Sequence, residues 1–495
     1  MGMTRTQRTL TMHTRTISLI TLLSLHAGMA SGAEPIACSH IEISATGQET
    51  VVRSLAPVGQ LGHAPSGSAT AEAPFGTTPD FTVELRRQIS GLAIADLDGD
   101  GRNDLAAVCY ISNSFPPYED WRDMIFFNSE SGLENTPSWI SNEQTHSADV
   151  QIGDVNGDTY PDLVSIHGGG LRTDSVQIHF GLAGGGVNTV AGFASATSPN
   201  AWGTSGLLVD MDNDSDLDLV TTNQGSGVNQ PTRPMFMFRN NGMGLESDPS
   251  WESDTYEISN GLDARDITGD GFPDLAVAKW VNFSSGIYYN TTGTPDVFQS
   301  LYVPNTNADK GAAFTDLEDD FSSEVAFGGD PTTIYSLVHG AILGVGVTNP
   351  PFTGPQEVRF FDVDLDGDDD LGEVHFSDGR AHLYLNRDGV LDTDPAWTYD
   401  ASEVGTSIAL GDLNNDGRPD LAIGYSGNTC IRVFYGQAPA CPADLTGEGD
   451  LNFLDVSAFL SAFGAMDPVA DFEADGNFNF LDVSAFLAAF GDGCP

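Results

Sequence analysis

Basic residues are scarce in this chain: 19 Lys and Arg stand against 70 Asp and Glu, a formal net charge of -51 over 495 residues. So few cations cannot neutralise a phosphate backbone, which excludes nucleic acid as a partner. Long apolar runs are lacking beyond one short stretch near the N-terminus, so no membrane span is expected. The chain carries no HExxH, GxSxG, Walker loop or CxxC, the usual marks of zinc proteases, serine hydrolases, nucleotidases and thiol redox sites. Its ten histidines are scattered. His146, His179, His339, His375 and His382 fall in or near strand-like segments, where structural histidines outnumber acid-base catalysts. Five cysteines permit disulfides but do not define a fold.

What the chain has in excess is one acidic loop written seven times: DLDGDGRND, DVNGDTYPD, DMDNDSDLD, DITGDGFPD, DLEDDFSSE, DVDLDGDDD and DLNNDGRPD, starting at Asp96, Asp154, Asp210, Asp266, Asp316, Asp362 and Asp412. Successive starts lie 46 to 58 residues apart, the period of a repeated supersecondary unit. Carboxylates so crowded repel one another unless a cation lies among them. Oxygen ligands at positions one, three, five and nine suit calcium, which accepts six to eight oxygens, better than magnesium. The candidate ligands are Asp96, Asp98, Asp100 and Asp104; Asp154, Asn156, Asp158 and Asp162; Asp210, Asp212, Asp214 and Asp218. They continue as Asp266, Thr268, Asp270 and Asp274; Asp362, Asp364, Asp366 and Asp370; Asp412, Asn414, Asp416 and Asp420. Position six, which needs a sharp turn, is Gly in four copies and Thr159 or Ser215 in two. The fifth loop departs from the pattern, with Glu318, Phe321 and Glu324 at positions three, six and nine, and is expected to bind weakly or not at all. The spacing leaves open whether calcium only stiffens the loops or takes part in binding.

Strand-like runs flank each loop, and aromatic segments ending in Asn or Gly follow it, such as IFFN, MFMFRNNG, IYYN, LYLNRDG and VFYG. A Pro-x-Trp element completes the set, with Trp139, Trp251 and Trp397 each 15 residues before a loop. Four strands per repeat point to a propeller. Phe81 also lies 15 residues before its loop but has no preceding repeat. Its strand is expected to complete the last blade and latch the ring, with the aromatics serving as packing. These loops and strands resemble the FG-GAP or VCBS-type repeats of integrin α subunits and secreted bacterial proteins, over residues 79–440. The resemblance implies a mainly β fold, a seven-bladed calcium-binding β-propeller with about six occupied sites, used in adhesion, ligand binding or occasionally lyase chemistry.

The C-terminus holds a different unit. DLTGEGDLNFLDVSAFLSAFG from Asp444 recurs as DFEADGNFNFLDVSAFLAAFG from Asp471. Each twelve-residue loop offers ligand types at positions one, three, five, nine and twelve: Asp444, Thr446, Glu448, Asn452 and Asp455, then Asp471, Glu473, Asp475, Asn479 and Asp482. A helix with one apolar face follows each and is expected to stop at Gly464 or Gly491. Residues 441–495 resemble a dockerin, a small α-helical domain that takes two calcium ions and binds a cohesin-like domain. The resemblance implies recognition through positions ten and eleven, here Phe453, Leu454, Phe480 and Leu481, either as an exposed apolar anchor or as helix packing. Bracketing Cys441 and Cys494 resemble the dockerins of planctomycete-like bacteria and would form a disulfide tying the domain's ends together.

At the N-terminus, Arg5, Arg8 and Arg15 precede an apolar run over 17–25 and small residues to Ala33. That is the pattern of a secretory signal peptide over 1–33, with export expected. Residues 34–78, rich in Ala, Gly, Ser and Pro, read as a flexible linker. Cys109 and Cys430 fall in blades that would meet at ring closure, and Cys38 is left over. Two functions stay open: a secreted propeller presenting a surface to polysaccharide or surface protein, tethered by its dockerin; or a dockerin-borne polysaccharide lyase or glycoside hydrolase.

Overall fold

The computed structural model describes residues 39–43, 49–54, 73–110, 120–168, 174–196, 202–224, 233–254, 258–280, 284–303, 311–318, 322–329, 332–347, 355–387, 389–437, 443–446, 451–472 and 476–492. The expected signal peptide, Cys38, Cys441, Cys494, Phe321, Glu448, Glu473 and Asp475 lie outside them. The chain divides into two compact units, Met1–Gly62 and His63–Pro495.

In the first unit, Ser39–Ile43 pairs antiparallel with Glu49–Ser54. That hairpin lies inside the stretch expected to be a linker. Residues 73–78 also depart from that expectation. Phe75 is 1 % exposed and bridges to Gly436, and Trp397 donates its indole N–H to the Gly76 carbonyl at 2.9 Å. Low overall hydrophobicity hid one aromatic that packs on two others, Trp397 by contact and Phe434 through it.

The second unit is built from four-stranded antiparallel modules, each containing one acidic loop. Five are separate sheets, and an eight-stranded sheet contains two more. In the first module the strands are Arg87–Ala95, Asp104–Cys109, Met124–Phe126 and Trp139–Ile140. The acidic loop is the turn between the first two. Second strands such as DLAAVC and DLAVAK are buried along their whole length, which is why they read as continuous apolar runs and not as alternating ones. The last module, Val404–Gly411, Asp420–Gly427 and Ile431–Phe434, takes its fourth strand from Phe81–Val83, with Phe81 opposite Val433 and Val83 opposite Ile431.

The first strands meet one another in chain order, and the cycle returns from Val404–Gly411 to Arg87–Ala95. The apolar core lies between modules. One cluster joins Trp139 and Ile125 of the first to Val150 and Leu163 of the second. Equivalent clusters occupy each later joint, and the closing one sets Val83, Cys430 and Val433 against Ile89, Leu105 and Cys109. Both thiols, Cys109 and Cys430, are free and buried there. The result is a mainly β, propeller-like fold.

Two helices end the chain, α1 Phe453–Ala465 and α2 Phe480–Asp492. They pack through Phe459 and Phe486, whose rings stack 4.1 Å apart, with Phe472 edge-on to both. Neither helix stops at its glycine. Helix α1 runs past Gly464 to a left-handed cap at Met466, whose N–H reaches the Ala462 and Phe463 carbonyls, and α2 runs through Gly491.

Candidate functional site

The acidic loops share a backbone path. Position one accepts the position-six amide in six of them, at 2.7 to 3.1 Å. Position six is left-handed each time, at Gly101, Thr159, Ser215, Gly271, Gly367 and Gly417. Thr159 and Ser215 therefore adopt a conformation that costs a β-carbon-bearing residue energy.

Position nine has a role beyond a ligand list. Asp104 is fully buried; one oxygen accepts the Leu97 amide at 2.8 Å and the other the Asn128 amide at 2.7 Å. Asp162, Asp218, Asp274, Asp370 and Asp420 repeat the pattern, each joining its own loop to the residue two beyond the end of the third strand. Four of those residues are asparagines that extend the chain of bonds. Asn128, Asn240, Asn290 and Asn386 donate their side-chain amides to Leu413, Val155, Met211 and Leu317, the position-two carbonyls of the preceding modules. The sequence shows these asparagines only as the ends of the aromatic runs. Their fixed place after each aromatic run was the available signal.

Burial pushes the position-nine carboxyls up, against the pull of their amide donors: Asp162, Asp218, Asp274 and Asp420 to about 6, Asp104 to about 7 and Asp370 to about 8. A cation beside them would favour the ionised form. The loops have the donor chemistry for one. Asp96, Asp98 and Asp104 bring one oxygen each within 4.8 Å of one another, as do Asp362, Asp364 and Asp370, and Asp210, Asp212 and Asp214. Asn156, Thr268 and Asn414 put an amide or hydroxyl oxygen in place of the third-position carboxylate. In the third loop Asp212 also pairs with Arg239, which reaches on to Gly293 and Thr294 of the next module. In the fifth, Glu324 accepts the Leu317 amide at 3.0 Å, keeping the position-nine bond in the divergent copy.

In the C-terminal loops, Asn452 caps α1 by accepting the Leu454 amide, and Asp455 accepts the Asn452 amide at 2.9 Å. Thr446 donates its hydroxyl to Asp455 at 2.7 Å. Asn479 and Asp482 repeat the cap, and Gly476 donates to Asp471 from a left-handed turn. Bonds from Asn452 and Thr446 hold the Asp455 carboxyl down at about 2. Phe453 and Phe480 are 77 and 78 % exposed, and Leu454 and Leu481 each 55 %. The helix-packing role considered for these four side chains belongs to Phe459 and Phe486.

Of the five histidines named from the sequence, His339 alone is exposed, in the left-handed turn before Ala341–Val347, and the other four are buried. His179, His375 and His382 are at most 2 % exposed and His146 is 6 % exposed. Burial lowers the His382 pKa to about 4, so it is neutral, bonded to Thr398. Trp139, Trp251 and Trp397 are buried packing residues.

Carboxylates also line the central channel. Asp149 accepts from Ser205 and Gly206 of the next module, Asp263 from Phe314, and Glu357 from Ile408, while Arg359 pairs with Glu357. These bonds staple first strands to one another.

An FG-GAP-like repeat family matches residues 96–165, and the FG-GAP repeat family matches residues 404–438. No curated protein sequence shows significant similarity to the chain. Among solved structures, the crystal structure of BBS1N in complex with ARL6DN, soaked with lead, includes a chain similar to this one. That chain is 11 % identical, with a TM-score of 0.51, covering 74 % of this chain and 99 % of its own length. The mercury-soaked form gives 12 % identity, a TM-score of 0.50 and coverages of 74 and 98 %. The chain thus carries FG-GAP repeats on a β-propeller-like fold.

Proposed function

We propose that this chain is an exported, calcium-loaded, seven-bladed propeller that presents a ligand-binding or adhesive face and is tethered through its C-terminal helix pair. The tether would be dockerin-like and its partner a cohesin-like domain. The observation that carries the reading is the coupling of each acidic loop to ring assembly. The position-nine carboxylate bonds the loop to the third strand, and in four modules an asparagine carries the connection to the preceding module. A cation in such a loop would stabilise the ring, as expected of a protein used where calcium is abundant. The tether is supported by the exposed, twice-repeated Phe-Leu pair, since apolar anchors of this kind suit a partner's pocket.

The test uses the full-length protein as bait against the producing cell's envelope and secreted fractions, in calcium and in chelator. A cohesin-like protein retained only in calcium, and lost when Phe453, Leu454, Phe480 and Leu481 are all changed to Ala, is the expected result. Capture indifferent to both treatments removes the tether. Release of unsaturated ends or reducing sugar from a polysaccharide panel would make the propeller an enzyme.

A further inference from the structure

Six of the seven first strands carry a bulge near their start, where two residues face one on the neighbouring strand. A bulge re-aims a side chain. The extra residues include Ser90, Thr204, Asn260 and Thr406, and all four line a cavity of about 360 Å³ at the channel mouth. Six or so residues at about 3.3 Å each separate this mouth from the acidic loops at the other ends of the same strands, roughly 20 Å away.

Four half-buried aromatics complete the wall: Tyr110, Trp202, Trp280 and Phe376. Extended strand pairing sets three of them in place, through Tyr110 to Gln88, Gln224 to Trp202 and Trp280 to Ile258. The rings of Tyr110 and Trp202 lie 6.1 Å apart. The repeats diverge here. Six residues past position nine stand Tyr110, Gly168, Gln224, Trp280, Phe376 and Ser426, whereas five residues earlier the same strands all read Leu. Packing constrains the equivalent leucines in every module alike; nothing in the ring requires aromatics at three unequal places around one opening.

Among the described residues, no charged side chain lines the cavity, in a chain of net charge -51. Anions meet the repulsive field of the chain and no cation on this wall; the nearest carboxylates, Asp149 and Glu357 in the adjoining cavity, are already taken up by Ser205, Gly206, Ile408 and Arg359. A hydrocarbon would cover the aromatics but leave the side-chain amides of Gln224 and Asn260, which have no hydrogen-bond partner among the described residues, without water or acceptor. A pyranose ring satisfies both surfaces, its C–H face lying on an aromatic ring and its hydroxyls bonding amides and hydroxyls. The volume falls within the range of about 300–1,000 Å³ usual for small-molecule sites. We infer that the channel mouth is a binding site for a neutral oligosaccharide, with Trp202 and Trp280 as stacking platforms and Gln224 and Asn260 as hydroxyl readers. This deepens the proposed ligand-binding role by naming the ligand class and the face that takes it.

The experiment is a titration of the full-length, calcium-loaded protein, followed by tryptophan fluorescence and calorimetry. The probes are cellotriose, xylotriose, mannotriose and chitotriose, with trigalacturonate as the acidic counterpart. Saturable binding of at least one neutral trisaccharide is expected, insensitive to salt, weakened at least tenfold by Trp280→Ala and by Trp202→Ala, and largely kept by Trp280→Phe. Thermal unfolding checks each variant, and where an alanine variant does not fold, Trp280→Phe paired with Gln224→Ala decides. No neutral binding, tighter binding of trigalacturonate, or affinity untouched by these substitutions overturns the inference. A protein that captures its tether partner yet binds none of the sugars defeats this inference alone.

Discussion

Asp104 shows how much rests on one carboxylate. Both oxygens accept buried backbone amides, so Asp104→Asn turns one acceptor into a donor facing a donor. The expected cost is about 1–3 kcal/mol, read as a lower denaturation midpoint in chelator. Gly101 tests the backbone alone. No atom lies within 4 Å of where its β-carbon would stand, so Gly101→Ala should cost about 1–2 kcal/mol through its φ of 88° only. Thr159→Gly should recover a comparable amount. At this scale the sequence was readable for the loop positions, because residue type and spacing constrain them directly. It was silent on the asparagines, whose bonds reach 69 to 285 residues along the chain.

Among the elements, the two helices separate buried from exposed phenylalanine within one repeated motif. Phe459, 1 % exposed and stacked on Phe486, should cost about 3–5 kcal/mol as Phe459→Ala, seen as early melting of the helix pair by calorimetry. Phe453→Ala, at 77 % exposure, should leave that transition within about 0.5 kcal/mol. The helices were legible from their apolar periodicity, but their ends were not. A left-handed Met466 ends α1 where glycine was the obvious candidate. Three of the fourth strands were legible from Pro-x-Trp spacing, and Phe81–Val83 was placed by the same count, whereas Phe193–Ala194, Leu301–Tyr302 and Ala341–Val347 carry no such mark. The Ser39–Ile43 hairpin was not, because its alternation is short and its surroundings are polar.

Over the whole molecule, the raised position-nine carboxyls set a pH dependence. Their folded values of about 6 to 8 lie above the ordinary carboxylate range, so the folded, metal-free chain holds protons that the unfolded chain releases. That contribution to stability is full in acid and is lost as pH rises from about 4 to 8. In chelator the melting temperature should therefore fall across this range, and added calcium should raise it most near pH 8. A midpoint in chelator that climbs toward pH 8 would refute the assignment. The cyclic order of modules was readable from the repeat period, whereas the channel mouth was not: its wall comes from bulges and from positions just beyond strand ends, which no periodicity marks.

The borrowed strand has a consequence in time. Phe81–Val83 leaves the ribosome more than 340 residues before Ile431–Phe434, the strand it must pair with. Until then the first module has no neighbour on one side and the latch has no groove to enter. Closure of the ring therefore waits for the last module to be made. A nascent chain stalled anywhere in the last module would hold six complete sheets and still expose an open edge, so quality control need inspect only that seam to tell a finished molecule from an unfinished one.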